Sequence, residues 1–289
     1  MKQYLIFDIG GTFVKWALVK QDYKIIKNSK WSFNGKEEGS KILIEKIKEK
    51  IKEIKKENEI NGIGISVPGI VDPITSKIIG ENVNIRDMDG LDFKKELQGL
   101  INGEIIVEND ANAAVLGETT IDNLKNCKNL LMITLGTGIG GGIIIDNKIY
   151  HGSSGMAGEI GNHIYEGHRW EWYHSSIGLI RMIKDNTGLD MTTYEILESQ
   201  DKKIKELLNK WYKGIAHVLA NMIIIMNFEA IVIGGGISES PNFNLELIQK
   251  NIIDLIIQKQ FHNSFKLYKA KLGNNAAIVG MAKLINARF

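Results

Sequence analysis

The sequence predicts an α/β protein with mixed sheets, because strand-like and helical patterns alternate along the chain. Short runs rich in Ile, Val and aromatic residues are typical of strands, and they lie at 4–7, 14–19, 62–67, 104–107, 130–135, 142–145 and 230–233. Helical patterns fill the intervals at 42–54, 111–119, 175–184, 202–227, 243–260 and after Asn274. The side chain of Asn274 or Asn275 is expected to cap that last helix.

The order strand, glycine turn, strand occurs twice, first over 5–19 and again over 131–145. Two such hairpins about half a chain apart predict two similar domains that face each other. The boundary between these domains is expected near 118–128.

Composition sets the class of protein. The 289 residues are 44% apolar and 24% charged, which is typical of a globular protein with a large core. A formal net charge of +2 does not favour a nucleic-acid partner, and the lysines of 36–56 alternate with Glu and apolar residues as on a solvated helix face. Cys127 is the single cysteine, and no leader-like or membrane-length apolar run occurs. We therefore expect a cytoplasmic protein with no membrane partner.

The glycine turns favour phosphate binding. Residues 136–141 (GTGIGG) match the dinucleotide fingerprint formally, but a strand-like run follows instead of a helix, so that interpretation fails. Glycine turns still let backbone N–H groups approach a phosphate, and threonine hydroxyls add donors. The candidate phosphate contacts are Gly10, Gly11, Thr12, Gly136, Thr137 and Gly138. Asp8 stands before the first turn, where a carboxylate could hold Mg²⁺ through water.

A third glycine run, formed by Gly234, Gly235 and Gly236, ends a strand and leads toward a helix. Ligands bind at such strand ends in open α/β sheets, so this run suits an adenosine platform. A plain tight turn is the alternative.

Asp110 follows one strand and opens a helix of small residues. An Asp at this place can cap the helix, or it can accept a proton from an attacking hydroxyl in phosphoryl transfer. Asn109 and Asn112 beside it suit sugar hydroxyls or helix capping. Spacing alone leaves the choice open.

Six blocks together resemble the ROK family (repressors, open reading frames and kinases). They are DIGGT at 8–12, ENDANAA at 108–114, LGTGIGGG at 135–142, GEIG at 158–161, IGGG at 233–236 and GNNAA at 273–277. They run in the family's order over nearly the whole chain.

The resemblance implies an actin-like (ribonuclease H-like) fold of hexokinase type, with two domains closing over a cleft. The first domain would comprise 1–118 and a returning helix at 274–289, and the second 119–273. Asp110 would be the base that accepts the proton of the sugar C6 hydroxyl, and ATP with Mg²⁺ would lie on the three glycine loops. The implied sugar contacts are Gly69, Asn84, Asn109, Asp110, Glu159, Asn162 and Glu171. Members of the family are commonly dimers, which implies a homodimer.

The chain departs from the family where zinc is usually bound. Asn162 stands at the position of the usual histidine, and the segment with three cysteines is missing. Structural zinc needs four Cys or His ligands, so we expect no zinc site. Aromatic packing by Trp170, Trp172 and Tyr173 is expected to stabilise this loop instead.

The predicted activity is ATP-dependent phosphorylation of a hexose or N-acetylhexosamine, with N-acetylmannosamine as the favoured substrate. Glucose and β-glucosides are the alternatives within the class. The resemblance implies that members without the cysteines include some N-acetylmannosamine kinases and some β-glucoside kinases. A non-catalytic sugar-binding regulator is an alternative of another class. Repressors of the family carry a DNA-binding domain before the first hairpin, for which Asp8 leaves no room. An actin- or chaperone-like ATPase would leave Glu159 and Glu171 unexplained.

Overall fold

The computed structural model describes residues 1–288, which form two compact units. One unit comprises Met1–Ile121, His151–Ala157 and the chain from Asn274. The other comprises Asp122–Tyr150 and Gly158–Gly273. The chain therefore returns to the first unit twice, once through a seven-residue segment and once through its last helix.

The predicted alternation of strands and helices is confirmed. The strands are β1 (Gln3–Ile9), β2 (Phe13–Lys20), β3 (Ile25–Ser32), β4 (Gly62–Val67), β5 (Ile70–Val71), β6 (Ile78–Ile79), β7 (Glu104–Asn109), β8 (Leu130–Leu135), β9 (Ile139–Ile145), β10 (Lys148–Ile149), β11 (Ile164–Tyr165), β12 (His168–Arg169), β13 (Ala230–Gly234) and β14 (Lys266–Lys269). The helices are α1 (Gly35–Lys55), α2 (Phe93–Glu96), α3 (Asp110–Glu118), α4 (Trp170–His174), α5 (Ser176–Thr187), α6 (Thr193–Glu198), α7 (Lys202–Met226), α8 (Leu245–Leu255) and α9 (Ala276–Asn286).

The two units contain sheets of the same topology. The first sheet has the order β3-β2-β1-β4-β7 and the second β10-β9-β8-β13-β14. In each, the first three strands pair antiparallel and the next two pairings are parallel. The glycine turns at 10–12 and 136–138 therefore occupy equivalent places. This equivalence explains why the two hairpins look alike in the sequence.

Alternation along β1 divides the core of the first unit into two layers. Leu5 and Phe7 join the buried cluster that includes the apolar face of α1. Tyr4 and Ile6 join the cluster that includes Met281 of α9. With a helix on each face, β1 and β4 are buried on both sides. The position of residues at the ends of these strands is thereby fixed.

One strand was not predicted from the sequence, and two local expectations were wrong. Strand β3 escaped notice because most of its side chains are exposed. Helix α8 ends at Leu255, well before residue 260. Asn275 precedes α9 but makes no capping hydrogen bond through its side chain, and the Asn274 side chain instead accepts from Lys15 Nζ at 3.3 Å. Within residues 1–288, none of the helices combines the length and the apolar character needed to span a membrane.

Candidate functional site

Asp8 lies near the end of β1, just before the first glycine turn. Ser66 donates its hydroxyl to Asp8 Oδ1 at 2.9 Å, and Lys15 Nζ lies 3.3 Å from Oδ2. Sequence reasoning missed both partners. Lys15 could have been found, because it is the residue opposite Asp8 in the hairpin register. The carboxylate is thus ionically paired and held in place at the mouth of the turn.

The first glycine turn brings Asn84 close. The Gly10 N–H donates to the Phe13 carbonyl at 2.9 Å and closes the turn. A Cβ added to Gly11 would lie 3.1 Å from the Asn84 Cβ, so these two residues are in contact. Thr12, at the tip of the turn, is exposed. Gly11, predicted to contact phosphate, and Asn84, predicted to contact sugar, are therefore neighbours although they come from separate parts of the sequence.

Gly69 and Asn109 also lie together. The Asn109 Nδ2 group donates to the Gly69 carbonyl at 3.0 Å. Gly69 has a φ of +97°, which only glycine adopts without strain. The predicted sugar contact at Gly69 therefore sits beside the residue that precedes the proposed base.

Asn109, and not Asp110, caps α3. The Asn109 side-chain oxygen accepts the backbone N–H of Asn112 at 3.0 Å. Asp110 is the first residue of the helix, is half-buried, and accepts the N–H of Ala111 on Oδ1 at 2.8 Å. Capping was one of two interpretations of Asp110, and the structure assigns that role to its neighbour.

In the second unit, Glu171 packs on the turn formed by Gly136, Thr137 and Gly138. The Gly136 N–H donates to the Gly138 carbonyl at 3.0 Å, and Thr137 is exposed. Glu171 Oε2 accepts the Ile139 N–H at 3.3 Å, and a Cβ on Gly138 would come within 2.8 Å of the same oxygen. A residue predicted to contact sugar thus also supports a predicted phosphate loop.

The third glycine run lies beside that turn, because Gly234 of β13 pairs with Thr134 of β8. Gly235 has a φ of +88°, and a Cβ there would lie 2.3 Å from the Leu135 carbonyl oxygen. Gly236 is exposed, and its carbonyl accepts from the Tyr194 hydroxyl at 3.3 Å. Two of the three predicted nucleotide loops are therefore adjacent within one unit.

Glu159 and Asn162 belong to the same unit and lie between its two glycine loops in the sequence. Asn162 Nδ2 donates to Glu159 Oε2 at 3.2 Å, and both residues are exposed. The pKa of Glu159 is raised, first by partial loss of solvent and second by the negative charge of Glu171. The carboxylate of Glu171 is balanced in part by Arg169, whose Nη1 lies 3.0 Å from Oε1.

Aromatic side chains fill the loop where zinc was not expected. Trp170 is fully buried, whereas Trp172 is 45% exposed. Trp172 stacks on the His168 ring at 5.4 Å between centroids, and the Arg181 guanidinium lies 3.6 Å from the indole centroid. Tyr173 contacts Tyr165 edge-on at 6.1 Å. In residues 1–288, no three His, Cys, Asp or Glu side chains are grouped so that they could hold a metal ion.

Asp8 fits the water-mediated Mg²⁺ contact that the resemblance implies. Mg²⁺ is usually bound by one or two carboxylates, several waters and the substrate phosphates, so a protein cage of three acids is not required. Asp8 supplies one carboxylate at the glycine turn, with a side chain 15% exposed. Lys15 competes for Oδ2, while Ser66 orients Oδ1.

Comparison with solved structures defines the class of protein. A Listeria monocytogenes protein described as a candidate N-acetylmannosamine kinase superposes with a TM-score of 0.84, at 26% identity over 99% of both chains. A ROK family glucokinase from Streptomyces griseus, solved with glucose and AMPPNP, gives 0.79 at 26% identity, again over 99% of both chains. The chain has the actin-like, two-domain fold of these proteins.

The chain belongs to the ROK family, whose model matches residues 4–288. A glucokinase from Halalkalibacterium halodurans is 30% identical to it over 98% of this chain and 94% of its own length. The family assignment predicted from the six sequence blocks is confirmed.

Proposed function

We propose that the protein is an ATP-dependent sugar kinase, which transfers the γ-phosphoryl group to a hydroxyl of a hexose or N-acetylhexosamine. Membership of the ROK family and similarity to glucokinases support this activity. The observation that carries this proposal is that the first two residues at the start of α3 differ in role, with Asn109 as the cap and Asp110 as a carboxylate within the first turn. Asn109 is the cap of α3, and Asp110 is a half-buried carboxylate at the first position of the helix, where its Oδ1 accepts the Ala111 N–H.

In the proposed reaction, the sugar C6 oxygen attacks the γ-phosphorus, the bond from that phosphorus to the β,γ-bridging oxygen breaks, and ADP leaves. The hydroxyl proton passes to Asp110. Backbone N–H groups of the turns at 10–12 and 136–138 would bind the phosphates, and the run at 234–236 would lie against the adenosine. Bound Mg²⁺ would neutralise part of the phosphate charge. Asp8 would hold that ion through water. Positioning and electrostatics therefore supply most of the rate enhancement.

The proposed sugar contacts form two polar sets, each described here within its own unit. Asn109 and Gly69 are joined by a hydrogen bond, and Asn84 lies on the glycine turn. Glu159, Asn162 and Glu171 form a second polar set. Carboxylates and amides accept and donate hydrogen bonds to sugar hydroxyls, so both sets suit a carbohydrate.

For the particular sugar we favour N-acetylmannosamine. The likeness to the Listeria monocytogenes protein supports this choice. Glucose is the alternative, supported by the glucokinases. In either case the reaction class and the base are the same.

A coupled assay of ADP release tests both levels of this proposal. The purified protein is given ATP and Mg²⁺ with N-acetylmannosamine, glucose, N-acetylglucosamine, fructose or cellobiose. We expect turnover that depends on the sugar and is highest with N-acetylmannosamine. Preference for glucose or cellobiose would overturn the choice of sugar alone. ADP release independent of every sugar, or none at all, would overturn the kinase.

A further inference from the structure

A buried carboxylate stands directly behind the proposed base. Glu108, two residues before Asp110, is 4% exposed. Its Oε1 accepts the backbone N–H of Asn109 at 2.9 Å and the Asn112 Nδ2 group at 3.1 Å. Burying an ionised carboxylate costs several kcal/mol unless hydrogen bonds and an opposite charge compensate it. Both amide donors are neutral, so the charge needs a further partner.

His151 is that partner. Its Nε2 lies 2.8 Å from Glu108 Oε2, although 43 residues separate the two in sequence. Glu108 raises the pKa of His151, mainly through this hydrogen bond and also through its charge, against a smaller opposing effect of burial. The ring therefore supplies a hydrogen bond to Glu108, and a positive charge as well whenever it is protonated.

The backbone around His151 holds it in the first unit. His151 begins the segment His151–Ala157, and its carbonyl accepts the N–H of Ala157 at 3.1 Å, which closes the segment into a loop. Gly155 of this loop is buried, and a Cβ there would lie 2.6 Å from the Val71 carbonyl oxygen. The imidazole is thus presented to Glu108 by a loop that packs on the same unit.

Glu108 in turn connects to the proposed sugar contacts. It fixes the N–H of Asn109, while the Asn109 side chain caps α3 and donates to Gly69. We propose that His151 is a positioning residue for phosphoryl transfer, holding Glu108 in place so that Asn109 and Asp110 keep their orientation. This inference rests on the proposed kinase function. It assigns a role to a residue that contacts neither sugar nor nucleotide in that proposal.

The experiment compares His151→Ala and His151→Gln with the wild type, using the best sugar of the assay above. Misplacing catalytic groups by about 1 Å can cost on the order of 100-fold in rate. We expect His151→Ala to lower kcat by about 10- to 100-fold and leave the KM for ATP within about twofold. His151→Gln keeps an N–H donor toward Glu108 and should recover much of kcat. His262→Ala is the matched control, because that ring is also half-buried and hydrogen-bonded, to the Ile256 carbonyl at 2.7 Å.

A purely structural role would lower Tm and leave kcat per folded molecule unchanged. The inference is overturned if folded His151→Ala retains wild-type kcat, or if both His151 variants lose kcat equally while folded. If His151→Ala does not fold, His151→Gln and Glu108→Gln still test the inference. Glu108→Gln removes the carboxylate charge that His151 is proposed to hold in place, so it should lower kcat. His151→Gln should lower kcat less than Glu108→Gln does. A wild type without sugar-dependent turnover rejects the kinase function instead.

Discussion

The side-chain oxygen of Asn109 accepts the backbone N–H of Asn112 at 3.0 Å, so the residue before the proposed base caps its helix. Asp110→Asn should therefore cost no more than about 1 kcal/mol of unfolding free energy, the contribution typical of a carboxylate at a helix N-terminus. It should lower kcat by roughly 10²- to 10⁴-fold, the range typical for loss of a general base. Denaturant unfolding, sugar binding by calorimetry and the coupled assay measure the three quantities. Near-normal turnover would reject Asp110 as the base.

Asn109→Ala should destabilise the protein by about 1 kcal/mol through loss of the cap. Asn109→Ser is the matched control, since a Ser hydroxyl can cap α3 but cannot replace the contact with the Gly69 carbonyl at 3.0 Å. We expect Ser to restore stability and leave sugar affinity weak. A larger loss of stability for Asp110→Ala than for Asn109→Ala, measured by urea unfolding, would contradict this assignment of the cap.

Gly280→Ala should be strongly destabilising, because α3 and α9 touch through their backbones. A Cβ on Gly280 would lie 1.8 Å from the Ala113 carbonyl oxygen, and one on Gly117 would lie 2.0 Å from that of Ala276. Overpacking of this kind costs typically about 1–3 kcal/mol. Ala282→Gly is the control, because it changes α9 without introducing a clash. Gly188→Ala is unsuitable as a control, because Gly188 has a φ of +75°. Glycine in place of alanine costs a helix about 1 kcal/mol, so Ala282→Gly should lower the free energy of unfolding by about that much. If Gly280→Ala lowers it by no more than this control does, the close packing of α3 and α9 is contradicted.

Trp170 and Trp172 should differ sharply although both belong to the aromatic loop. Trp170 is fully buried, so Trp170→Ala should cost about 3–5 kcal/mol. Trp172 is 45% exposed and loses mainly its stacking with His168 and Arg181, worth about 1 kcal/mol or less. Urea unfolding of the two variants measures this difference. Stoichiometric zinc in the purified protein would contradict the view that aromatic packing stabilises the loop.

His174 should make the protein less stable in acid. Burial lowers its pKa to about 4 against an ordinary value of 6.5, with a smaller contribution from the charge of Lys210. Because the pKa of His174 is lower in the folded protein, the unfolded chain binds more protons between pH 4 and 6.5. The neutral form of His174 therefore costs no stability above pH 6.5, and the free energy of unfolding decreases as the pH falls toward 4. This pKa shift corresponds to a loss of at most about 3 kcal/mol in the free energy of unfolding on acidification.

His174→Leu tests that dependence through unfolding free energies measured between pH 4 and 7. The variant should show a shallower acid slope than the wild type, whatever its stability at pH 7. Equal slopes for wild type and His174→Leu would contradict the buried neutral imidazole.

The sequence by itself determined the α/β class, the strands that carry the glycine turns, and the family. These features are local: a β-branched run, a glycine turn and a strand end each leave a signature within about ten residues. The site residues on the first turn, the second turn and α3 could be named for the same reason. Their roles stay predictions, because a motif gives residue identity without the hydrogen bonds that separate a cap from a base.

Only the tertiary structure decided which side chains complete these motifs. Ser66 reaches Asp8 across 58 residues, and His151 reaches Glu108 across 43. No periodicity marks such partners, since they are brought together by parallel strand pairing and by a loop that packs on the first unit. The choice of Asn109 as the cap was likewise settled by backbone geometry: Asn109 has extended φ and ψ, whereas Asp110 is already helical.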